Sequence, residues 1–306
     1  MKNTLRSALY EYYEMIENTL HKSCTQKRQI CYLEVPSPDV NAFAAPFKNQ
    51  SNIFVIGVHD GLLYSLYNGI MVEKRLAKII TRIKNEYSVI EKDEDIYRMV
   101  YITSALICFY HEFGHIFNGH LLEYNKNNSN LILQERSAHE APTGIPINER
   151  NMIEFDADSL AGICIGPLTE FIRIDCSERK EDLYKELILI SALYFFNELN
   201  IHVSDNDDEY PPIAIRIFTV THSFLVSNDF YIKHGSLPDT DIVINDEILS
   251  KYDTRRIISE VNSCLEPYTQ RKIDYSKEKI DKWWNTYNKT SHILVKIHEH
   301  AKKHFA

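Results

Sequence analysis

Apolar residues recur every three to four positions from about residue 3 to 22 (Leu5, Leu9, Tyr12, Ile16, Leu20), the spacing of an amphipathic helix. The pattern then shortens. Residues 30–35 are β-branched and aromatic and stop at Pro36, so they read as a strand. Residues 41–44 are extended by composition, and 52–57 make a second strand that ends near Asp60 and Gly61. Helical spacing returns over 70–86 and in a long run from Asp93 to Tyr124. The stretch 125–148 is rich in Asn, Ser, Pro and Gly and reads as a loop. Helices are expected at 149–164, 180–199 and 212–227, with Pro212 in the first turn of the last, where no N–H is needed. An acidic loop at 204–209 precedes it, and the chain past 228 predicts helices at 245–264 and 270–304. The order predicts an α+β fold: a mainly helical domain with a small sheet before the 93–124 helix, then a helical C-terminal region. We place the division at 1–227 and 228–306.

Composition narrows the classes. With 306 residues, 44% of them hydrophobic and 25% charged, the chain can bury a real core. Only nine glycines argue against an all-β fold full of tight turns. A formal charge of −9 gives no electrostatic reason to expect nucleic acid as a partner. The longest apolar runs, near 100–110 and 187–196, fall short of the roughly 20 residues that span a bilayer. The N-terminus lacks the apolar core of a signal peptide, and the six cysteines include no CxxC pair; Cys108 and Cys164 lie in apolar runs and read as core. A cytoplasmic protein with reduced thiols and no transmembrane segment is expected. No GxxxxGK[ST], GxGxxG or GxSxG is present, which leaves nucleotide binding and serine hydrolysis without support.

One motif carries chemistry. Residues 111–115 read His-Glu-Phe-Gly-His, on a strongly apolar helix. Histidines at i and i+4 share one side of a helix, so His111 and His115 can reach one ion, and Glu112 can touch a metal-activated water without being a ligand. The bland alternative is an amphipathic helix with two partly buried histidines. Against it stand the cost of burying such polar groups without partners and a second motif, Glu-Phe-Asp-Ala-Asp at 154–158. A catalytic zinc site takes three protein ligands and keeps one position open; Glu154 can be the third. Asp158, one turn on, is placed to accept the other N–H of a ligand histidine. Ala157 and Ala161 are small enough for the two helices to approach closely.

The ordered series NAFA at 41–44, GLL at 61–63, HEFGH at 111–115, EFDAD at 154–158 and YPPIAIR at 210–216 resembles the gluzincin metallopeptidases grouped with the CAAX prenyl endopeptidases and the HtpX heat-shock proteases. The resemblance spans about 35–225. It implies a zincin-like domain, a Zn2+ cofactor held by His111, His115 and Glu154, and hydrolysis of a protein or peptide substrate with Glu112 as base. Asn41, Ala42, Phe43 and Ala44 would form the exposed edge strand along which substrate lies. Where the family carries a histidine this chain has Tyr210, whose hydroxyl can also donate to an oxyanion. Arg216 keeps its offset from that position and would brace the site beside Asp158 or help hold the oxyanion. The transmembrane helices usual in the family are missing here. A looser likeness, through motif and size, is to soluble Lit-type phage-exclusion peptidases.

Other histidines read as structural. His120 lies one position short of the 121 that a metzincin pattern would need, and residue 121 is Leu121; it reads as a helix-end residue bonded to backbone. His139 reads as surface, and His298, His300 and His304 as a solvated helix face. Ile280, Trp284, Tyr287 and Leu294 form a helical stripe that reads as core. From another class, the rival reading is a regulatory binding module on the same scaffold with little or no hydrolysis. A closed structural zinc site fits less well, since it takes four protein ligands.

Overall fold

The computed structural model describes residues 29–47, 52–124, 133–134, 145–170, 179–201, 211–234, 254–268, 273 and 277–305. The expected helix at 3–22, the acidic loop at 204–209, His139 and Tyr210 lie outside the described residues, as does the side chain of His304. Mostly helical, with one small sheet, the chain has the expected α+β character.

Strands β1 (Gln29–Val35), β2 (Ala42–Pro46), β3 (Ile53–His59) and β4 (Leu133–Gln134) form one sheet in the order β1-β3-β2-β4. β3 pairs parallel with β1 and antiparallel with β2, with Ala44 opposite Ile56. The fourth strand comes from the stretch read as a loop. It pairs antiparallel with β2, Phe43 opposite Gln134 and Ala44 opposite Leu133. This corrects the expectation of an exposed edge at 41–44: Ala42 and Ala44 are fully buried, Asn41 is buried, and β2 is already paired on both sides at Phe43 and Ala44. The segment is alanine-rich because its buried face lies on the long helix that follows, where larger side chains have no room.

Next come α1 (Asp60–Tyr67), a π-type turn at Asn68–Val72, and α2 (Ala77–Tyr87). α3 (Asp93–Phe117) starts with Asp93, Glu94 and Asp95, whose charges favour the positive end of the helix dipole. From Val100 onward it is buried almost all round, since the sheet, α5 (Ile147–Ile165) and α6 (Lys180–Ile201) enclose it. The expected single helix from 93 to 124 is broken. Gly119 takes φ +85°, its N–H bonds the carbonyl of Ile116, and a short α4 (His120–Tyr124) sets off in a new direction.

α5 packs against α3 on one side and α7 (Ile213–His234) on another. α7 runs through the expected 227/228 division. Beyond it, α8 (Thr254–Leu265) packs on α6, while the expected helix 270–304 is two, α9 (Lys277–Thr290) and α10 (His292–Phe305), both against α5. Buried residues of α8, α9 and α10 belong to the same apolar cluster as those of α3, α5 and α7. In the aromatic stripe it is Trp283 that is buried, with Trp284 and Tyr287 half-buried around Phe155 of α5. Among the described residues, no helix is long and apolar enough to cross a membrane.

Candidate metal centre

The motif EFDAD is best understood residue by residue, because successive side chains leave α5 in different directions. Glu154 turns towards α3, where its Oε2 lies 3.2 Å from His111 Nε2 and its Oε1 3.7 Å from His115 Nε2. Phe155 meets the aromatic cluster of α9. Asp156 accepts hydrogen bonds from outside α3. Ala157 abuts Gly114, where an added Cβ would stand 2.8 Å from the Ala157 Cα. Asp158 returns to the α3 side and accepts a bond from His111 Nδ1 at 2.8 Å.

The ligand atoms of His111, His115 and Glu154 converge, and all three residues are buried. His111 Nε2 and His115 Nε2 lie 3.2 Å apart. Ligands bonded to one tetrahedral zinc at about 2.0–2.1 Å stand about 3.3 Å from each other. The two imidazole nitrogens at 3.2 Å, and the Glu154 oxygens at 3.2 Å (Oε2 to His111) and 3.7 Å (Oε1 to His115), lie near that spacing.

Proton positions sharpen the fit. His111 Nδ1 faces the Asp158 carboxylate and so carries the proton, leaving a lone pair on Nε2. His115 Nδ1 faces His120 Nδ1 at 3.0 Å. Burial holds the His115 imidazole well below its usual pKa, with the neighbouring His111 and His120 acting in the same direction. With its proton on Nδ1, a neutral His115 also offers an Nε2 lone pair. Two lone pairs and a carboxylate then face one another in a buried setting, and Glu154 Oε2 has no hydrogen-bond donor among the described residues. Three buried acceptors repel unless a cation offsets them, and the Arg216 guanidinium, 3.9 Å from Glu154 Oε2, stays beyond hydrogen-bonding distance. The residues fit a metal.

No family model, curated protein or solved structure matches the chain.

Around the ligands, Arg216 of α7 grips Asp158 with two bonds, Nε to Oδ2 at 2.7 Å and an Nη2 bond to Oδ1 at 2.9 Å. The guanidinium also lies over the Phe196 ring at 5.1 Å. Arg216 thus positions the carboxylate that positions His111, and its Nη2 also lies 3.4 Å from His111 Nδ1 and 3.9 Å from Glu154 Oε2. Glu112, next to the first ligand, is fully buried.

His120 and His298 correct the sequence reading. His120 is not bonded to helix-end backbone: its Nδ1 meets His115 and its Nε2 meets Asp156 Oδ2 at 2.9 Å. His298 of α10 is not on a solvated face, because its Nε2 lies 2.8 Å from the same oxygen. Asn118 Nδ2 donates there too, at 2.6 Å. Burial opposes ionisation of Asp156, yet the His120 bond and the nearby His298 hold its pKa below the carboxylate range. His120 itself is lowered by burial, against the pull of Asp156. His300 pairs with Glu123 of α4 at 2.9 Å.

Proposed function

We propose that the chain is a zinc-dependent endopeptidase of the gluzincin type, which hydrolyses peptide bonds in a protein or peptide substrate. The observation that carries the proposal is the convergence of His111 Nε2, His115 Nε2 and the Glu154 carboxylate at 3.2–3.7 Å, from two helices and in a buried setting. Three protein ligands leave a fourth position for chemistry, unlike the four-ligand closed sites that only stabilise folds.

Zinc bound there supplies Lewis acidity to a water and to the scissile carbonyl. Glu112, beside His111 and outside the three residues that could hold the metal, would take up a water proton and return it to the leaving nitrogen. Asp158 keeps the His111 proton on Nδ1, and the Arg216 fork keeps Asp158 in place. Tyr210 is proposed, from its place in YPPIAIR, as the donor to the developing oxyanion.

Metal analysis of the purified chain with a peptide-library digest tests this. The wild type should hold one zinc and cleave; Glu112→Gln should hold zinc and not cleave. His111→Ala, His115→Ala and Glu154→Ala should each lose the metal. A wild-type chain without zinc would instead mean that a protonated His111 bridges Glu154 and Asp158. Zinc retained without cleavage by the wild type would favour the regulatory module.

A further inference from the structure

The two ligand histidines are braced differently. Through Nδ1, His111 reaches a carboxylate directly, whereas the Nδ1 of His115 reaches one through a second imidazole, His120. Given the metal centre proposed above, this chain has one consistent set of protons. A His115 that offers Nε2 to the metal keeps its proton on Nδ1 and donates it to His120 Nδ1. His120 must then carry its own proton on Nε2, which donates to Asp156 Oδ2 at 2.9 Å. His298 and Asn118 donate to the same oxygen, so the end of the chain is held from α10 and from the break between α3 and α4.

We infer that Asp156 and His120 are positioning residues for the metal ligand His115, and that His298 locks the last helix into this relay, making the C-terminal helix a working part of the metal centre.

His120, Asp156 and His298 also bring their ligand atoms within 4.8 Å of one another, as a second metal site would. The proton assignment speaks against that reading. The Nε2 lone pair a second ion would need is occupied by the proton that donates to Asp156. The bonds of 2.8 and 2.9 Å are also shorter than the roughly 3.3 Å between ligands that share one zinc. One metal per chain follows.

The test uses the whole 306-residue chain, stripped of metal and titrated with zinc against a chromophoric chelator, and with cobalt(II) for its absorption spectrum. Asp156→Asn, acting on His115 through His120, should weaken zinc binding up to about 10-fold, the low end of what loss of a direct partner of a ligand costs, and should shift the cobalt spectrum. His298→Ala should weaken binding in the same direction by less, and His298→Gln, which restores an N–H donor, should recover it. His300→Ala is the control. It removes another contact of α10, the 2.9 Å pair with Glu123, without touching the relay, and should leave zinc affinity unchanged. Equal affinity in Asp156→Asn, His298→Ala and wild type would overturn the inference. So would two zinc ions per chain, or a loss in His300→Ala as large as in His298→Ala. Wild type without any zinc would overturn the metal centre itself, and the relay with it. If Asp156→Asn does not fold, the His298 pair decides alone.

Discussion

Asp158 stands between two demands. Its Oδ1 fixes the proton of His111, while both oxygens take the Arg216 fork. Arg216 and Asp158 are both buried, so removing the arginine leaves a carboxylate with neither water nor its main partner. Arg216→Leu should therefore destabilise the fold by about 3–5 kcal/mol, the usual cost of orphaning one member of a buried pair. The double variant Arg216→Leu with Asp158→Leu should recover much of that stability, because apolar groups can replace a buried pair at little cost. It should not recover zinc affinity, since nothing then holds the His111 proton on Nδ1. Urea denaturation and zinc titration on the same proteins separate the two effects; a double variant that binds zinc like wild type would remove Asp158 from the site. At this scale His111, His115, Glu154 and Asp158 were readable from residue types and one-turn spacings. His120 was not. In an unbroken helix it would lie about 140° around the axis from His115, facing away. The turn at Gly119, φ +85°, brings it back to 3.0 Å from His115.

Among the elements, the contact between α3 and α5 sets the spacing of the candidate ligands, because His111 and His115 come from one helix and Glu154 from the other. At Gly114 an added Cβ would meet the Ala157 Cα at 2.8 Å and its carbonyl oxygen at 3.0 Å. These are backbone atoms and cannot rotate away. Gly114→Ala should push the helices apart, lower stability by about 1–3 kcal/mol and weaken zinc binding. Ala157→Gly should not rescue it, as the nearest obstacle is the Cα and not the methyl group. Rescue, measured by thermal melting and zinc titration, would show that the contact is a side-chain one. The helices themselves were legible from apolar periodicity, and the small residues at 157 and 161 hinted at close approach. The fourth strand was not legible. Leu133–Gln134 is too short to show any period, and only its partner β2 makes it a strand.

Across the whole molecule, a bound metal would be linked to stability. A zinc ion that binds the folded chain and not the unfolded one adds about 2.7 kcal/mol of stability when free zinc is about 100 times its Kd. Removing it should lower the melting temperature, and the wild type should lose more than Glu154→Ala, which lacks a ligand to begin with. Differential scanning calorimetry with and without a chelator checks this; equal shifts would mean that the chelator acts elsewhere. The C-terminal helices share one apolar cluster with α3, α5 and α7, so heating should melt them together with the site. Sequence alone determined what is local: which segments are helical, which residues can bind a metal at i and i+4 spacing, and which carboxylates lie one turn apart. Those features depend only on the periods of helix and strand. Tertiary structure decided what meets across distance: that β2 has a neighbour on each side, that Asp156 faces His120 and His298 from elements far apart in the chain, and that Arg216 spends its fork on Asp158. No periodicity encodes such meetings, because they arise only where separate helices and strands are packed against one another in a shared interior.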